Sequence, residues 1–109
     1  MIKEREILSR FEELQIGTLH IWIERGWVTP HRDEGQNLYR EIDVARVGLI
    51  FEFANELGLN EDAMDVVLPL LDQVHGLRYQ LRRLAEAVQA QPDDIRRQIS
   101  SAINEYPEE

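Results

Sequence analysis

The chain contains no cysteine, so it has no disulfide, thiolate metal site or cysteine nucleophile, and its carboxylates and three histidines are the first groups to weigh. There are 21 Asp and Glu against 12 Lys and Arg, so close carboxylate pairs arise by chance and signal nothing alone. His75 stands three residues after Asp72 and three before Arg78, which places the three along one side of a helix. A metal there needs a second strong ligand at matching spacing, and none is present. His20 and His31 read as surface side chains. No nucleophile elbow, phosphate loop or His–carboxylate pair of catalytic spacing appears. The sequence therefore predicts no catalytic residue, no cofactor and no metal. Asp62, Asp65 and Asp72 fall on one side of the same predicted helix. That pattern suits a solvated face or a surface for a basic partner.

The elements that must position these groups are mostly helical. Residues 4–13 read as a first helix with Ile7, Phe11 and Leu14 on one face. Residues 17–25 read as a second helix that ends at Gly26. It turns Leu19, Trp22 and Ile23 inward and shows Thr18, His20, Ile21, Glu24 and Arg25 outward. Trp22 and Trp27 read as core anchors. Trp27-Val28-Thr29 is β-prone up to Pro30, and Asp33-Glu34-Gly35 signals a turn before Leu38-Tyr39. Residues 27–39 thus predict a hairpin wing.

The central helix, over residues 41–57, organises the rest. Ile42, Ile50, Phe53, Ala54 and Leu57 share an apolar face, with Val47 and Phe51 on its flank and Gly48 on the far side. Gly58 supplies a left-handed stop. Asp43 and Arg46 lie inside the arc. They read as partner contacts or as an internal ion pair, with Asp43 also meeting the helix N-terminus.

Asn60 caps a long helix over 60–90, in which Pro69 predicts a kink or break near residues 66–68. Leu70, Val74, Leu77, Leu81, Leu84 and Val88 recur at steps of four and three, which predicts a homodimer seam. The rival is a last helix over 92–105 whose stripe of Ile95, Ile99, Ala102 and Ile103 folds back over that seam. Pro107-Glu108-Glu109 reads as a frayed end. The expectation is one mainly helical domain over 1–109, a winged helix-turn-helix over about 4–59 followed by the long helix and a short last one.

A formal net charge of −9 disfavours nucleic acid and favours a basic protein surface, although it also serves solubility alone. From Gly17 to Glu41, three cations (Arg25, Arg32, Arg40) meet four acids (Glu24, Asp33, Glu34, Glu41), a balance of −1 where phosphate neutralisation demands the opposite sign. The first residues have no apolar core of a signal peptide, and no run approaches the ~20 apolar residues of a membrane span. The expectation is a cytoplasmic protein.

Three blocks carry a resemblance: Trp22-Ile23-Glu24-Arg25-Gly26-Trp27, Asp43-Val44-Ala45-Arg46 with Leu49-Ile50, and Leu70-Leu71-Asp72-Gln73-Val74-His75-Gly76-Leu77-Arg78. The first block and Asp43-Val44-Ala45-Arg46, with Val28-Thr29-Pro30, Tyr39 and Glu56-Leu57-Gly58-Leu59, resemble the MerR-type winged-helix domain. The three blocks are more similar still to its small offshoot, the chaperone modulator CbpM family. The resemblance spans residues 6–88. It implies a non-enzymatic adaptor that binds the J-domain of a DnaJ-like co-chaperone of the CbpA type and restrains its action with DnaK. The alternative is a MerR-type DNA-binding transcriptional regulator. On the adaptor reading, Asp62, Asp65 and Asp72, with His75 and Arg78 beside them, are the candidate J-domain contacts.

Overall fold

The computed structural model describes residues 1–105, so the frayed end expected at Pro107-Glu108-Glu109 lies outside the described residues. Among these described residues, three short strands and five helices follow in the order β1 (Ile2–Lys3), α1 (Glu4–Arg10), α2 (Ile16–Glu24), β2 (His31–Asp33), β3 (Gln36–Tyr39), α3 (Glu41–Asn55), α4 (Glu61–Gln89) and α5 (Asp93–Asn104). Contacts group the chain into two compact units, Met1–Leu68 and Pro69–Glu109.

In the first unit the wing forms around a two-residue turn. Glu34 and Gly35 both take positive φ, 49° and 79°, so the twist of the turn matches that of the strands it joins. Asp33 then pairs with Gln36 and His31 with Leu38. The hairpin starts later than its composition suggests. Trp27 and Val28 are buried but not in a strand, and β2 begins only after Pro30. The reason is the end of α2. Gly26, at φ 77°, donates its N–H to the Ile23 carbonyl (3.0 Å), and Trp27 donates to the Trp22 carbonyl (3.0 Å). This Schellman closure ties Trp27 back onto the helix instead of releasing it to a ladder. An unexpected strand, β1, completes the sheet in the order β1-β3-β2, with Ile2 opposite Tyr39.

α1 stops at Arg10, shorter than expected, and Leu14 reaches the core from the following loop. α3 buries a different face from the one its periodicity suggests. Asp43, Val44, Val47 and Ile50 are buried, whereas Ile42 and Leu57 are 69% and 65% exposed. The buried arc centres on Val47. Ile42 lies about 140° round the helix from it, and Leu57 falls beyond the last helical residue. Gly48 is not on an open side: a Cβ there would lie 3.2 Å from the Phe11 ring, which in turn meets Phe51 at 5.9 Å between centroids.

Asn60 caps α4 as expected, its Oδ1 accepting the Ala63 N–H at 2.8 Å. Met64 and Leu68 then enter the core of the first unit. The helix is not broken at Pro69 but runs on to Gln89. Proline removes a single rung of the hydrogen-bond ladder, and the neighbouring rungs carry the helix past it.

The second unit holds the rest of α4 and α5, the latter starting one residue later than expected with Pro92 at the N-cap. Among the described residues, all twelve buried apolar side chains lie in the first unit. No helix is long and apolar enough to cross a membrane among the described residues.

Candidate partner-binding surfaces

Among the described residues Asp43 is the one buried charged side chain, and its carboxylate pairs with Arg40. It occupies the third position of α3, where helical side chains lean back toward the N-terminus. Its Oδ2 accepts the Arg40 backbone N–H at 2.9 Å and Arg40 Nε at 3.1 Å, and its Oδ1 accepts Nη2 at 3.1 Å. Burial pushes the Asp43 pKa up, but the Arg40 hydrogen bonds and charge outweigh it and hold the carboxyl below its usual range. Arg46 donates to the Trp27 carbonyl, fastening α3 to the loop after α2.

That loop has a second fastening. Arg25 donates to Glu61 at 2.5 Å and to Asp65 at 2.9 Å, and its guanidinium lies 5.5 Å from the centroid of Trp27. Trp27 Nε1 donates to the other oxygen of Asp65 at 2.6 Å. Asp65 therefore holds the start of α4 to the end of α2. The signal for this was a tryptophan that needs an acceptor once its ring is buried.

The remaining outward residues of α2, among them His20, Ile21 and Glu24, are exposed as expected. The exposed reading face of this helix offers no unpaired cation, because Arg25 is turned to α4. His20 Nε2 donates to Glu4 Oε1 at 2.9 Å, and the Tyr39 hydroxyl donates to the same oxygen at 3.0 Å. Burial first, then the Glu4 carboxylate, push the Tyr39 hydroxyl far above its ordinary pKa.

The five candidate contacts divide between the units. Asp62 and Asp65 belong to the first; Asp72, His75 and Arg78 belong to the second, and all five are exposed. Among the described residues no three His, Asp or Glu side chains gather as a metal site would need.

Within the second unit the seam stands open. Leu70, Leu77, Leu81 and Leu84 are 54–64% exposed, Val74 is 41% exposed and Val88 is half-buried. α5 leaves its own Ile95 and Ile103 exposed and does not cover the row.

Two short helices, a hairpin wing paired to an N-terminal strand and a central helix define a winged helix-turn-helix protein. Residues 8–69 match the model of the MerR HTH family regulatory protein, and this stretch is more than half of the chain. The chain belongs to the MerR family of helix-turn-helix regulatory proteins. No curated protein and no solved structure matches it.

Proposed function

We propose that this protein is a cytoplasmic, non-enzymatic chaperone modulator that binds the J-domain of a DnaJ-like co-chaperone and restrains its action with DnaK. The observation that carries this reading is the chemistry of the helix-turn-helix face. On a winged helix the second helix is the one offered to a groove. Here it presents Ile21 and Glu24, while its arginine is bound by Glu61 and Asp65. A duplex needs cations at that face, and this one supplies a carboxylate. The three sequence blocks that resemble the CbpM family, and the net charge of −9, point to a basic protein surface instead.

Asp72, His75 and Arg78 are the contacts we assign in the second unit, and Asp62 in the first. Asp65 belongs to the candidate set as well, but both of its oxygens already accept internal hydrogen bonds. Reversing its charge therefore perturbs the fold as well as any contact. The open row from Leu70 to Val88 is assigned to a second copy of the chain.

Calorimetric titration into an isolated J-domain tests the reading. The wild type binds, DnaK competes, and binding weakens with salt because exposed charges are screened beyond about 8 Å at physiological ionic strength. Asp72→Lys lowers affinity about tenfold, a change of about 1.4 kcal/mol, with an unchanged circular dichroism spectrum. Absence of binding to every J-domain of the parent cell refutes the chaperone reading. Sequence-selective, sub-micromolar binding to duplex DNA in its place establishes the transcriptional alternative.

A further inference from the structure

The first unit carries seven Lys and Arg side chains, and four of them are held by carboxylates or a backbone carbonyl. Arg10 pairs with Glu6 at 3.5 Å and Glu41 at 3.8 Å. Arg25 holds Glu61 and Asp65, Arg40 holds Asp43, and Arg46 reaches the Trp27 carbonyl. The other three are Lys3, Arg5 and Arg32, which form no ion pair with a described residue. All three line a single cavity of about 430 Å³, together with His20.

Three elements bring them there: Lys3 comes from β1, Arg5 from the first turn of α1 and Arg32 from β2 of the wing. Arg32 Nη1 also donates across the hairpin to Asn37 Oδ1 at 3.4 Å, which steadies the guanidinium at the cavity wall. The one acid in the lining is Glu4, and its Oε1 already accepts from His20 and Tyr39. The lining itself therefore sets three cations against one carboxylate in a strongly acidic chain.

We propose that this cavity is a binding site for the phosphate group of a small molecule. Two guanidinium forks and an ammonium in one lining suit a tetrahedral oxyanion, and the volume is in the range of small-ligand sites, about 300–1,000 Å³. The surroundings select a compact anion over a polymer. Exposed Asp33 and Glu34 close the wing beside the cavity, and Glu24 is exposed on α2. A duplex carries a charge about every 1.7 Å and would run on from the cavity into those acids. A phosphate monoester confines its charge to the cavity. Free inorganic phosphate and a phosphate ester share this chemistry. This inference stands apart from the J-domain reading, since none of its residues belongs to that surface.

The test is titration of the full chain with inorganic phosphate, adenosine monophosphate and a mixed-sequence duplex at constant ionic strength. Calorimetry reads affinity, and the imidazole proton resonances of His20 read occupancy. One or both phosphate compounds bind saturably and shift His20. A tighter ester than phosphate assigns an organic ligand, and equal affinity assigns the bare oxyanion. The doubly substituted R5Q/R32Q protein loses about tenfold or more in affinity, whereas R82Q/R97Q, which removes exposed cations elsewhere, binds as wild type. Circular dichroism checks the fold of R5Q/R32Q, and the single K3Q substitution gives a second reading with a smaller loss. Three results overturn the proposal: no binding of either phosphate compound, unchanged binding by both R5Q/R32Q and K3Q, or duplex binding that outcompetes the monophosphate and is lost in R5Q/R32Q.

Discussion

Asp43 shows how one side chain sets the balance of a small core. It is 5% exposed, and an amide in its place removes the charge that Arg40 pairs with and turns one acceptor oxygen into a donor facing the guanidinium. Asp43→Asn at pH 7 costs about 1–3 kcal/mol, the range for a hydrogen bond to a charged group. The pH dependence follows from the direction of its shift. The native pKa lies below the ordinary value, so the stabilisation is fully present above the unfolded pKa near 3.9 and fades as pH falls through the native one. Urea melts of wild type and Asp43→Asn should therefore differ most at neutral pH and converge below about pH 4. A gap of constant size across that window contradicts the assignment of the carboxylate to Arg40.

The helices differ in how much their surroundings constrain them, and two glycines expose the difference. Gly76 lies in the middle of α4, and a Cβ there meets nothing within 4 Å. Gly76→Ala should stabilise the helix by about 1 kcal/mol, the full propensity difference. Gly48 sits in α3 against Phe11, with 3.2 Å between the built Cβ and the ring. The same propensity gain is then offset by the shift imposed on Phe11 and, through it, on Phe51. Gly48→Ala should gain clearly less than Gly76→Ala, or lose stability. Thermal denaturation of both variants decides; equal gains would mean the aromatic pair yields freely.

At the scale of the molecule, the apolar side chains are unevenly shared. Among the described residues the first unit contains every buried one, while the second holds a row of leucines more than half exposed. Covering one leucine fully is worth about 1.5–3 kcal/mol, so four seam leucines more than half open give a strong drive to association. We expect a dimer, with twice the 12.8 kDa of one chain by light scattering at micromolar concentration. Leu81→Glu should return it to a monomer while the first unit keeps its fold, because Leu81 belongs to the second. A wild-type mass of 12.8 kDa at high concentration removes the dimer.

The features that the sequence determined are those settled within a turn or two of chain. Asn60 caps α4, Gly26 closes α2 and the Asp33-Glu34-Gly35 turn builds the wing, because each depends on neighbours only a few residues away. The step of three and four from Leu70 to Val88 is likewise carried by helix geometry alone. The tertiary structure decided what depends on distant partners. β1 exists because β3 offers it an edge, and two residues hold too little pattern to announce a strand. The arc buried on α3 turned toward Val47, since periodicity fixes the width of an apolar face but packing fixes its centre. Asp65, legible as one of several exposed acids, was claimed by Arg25 and Trp27 some forty residues earlier. Lys3, Arg5, His20 and Arg32 have no common spacing in the chain, and only the closing of the wing against α1 and α2 brings them around one cavity.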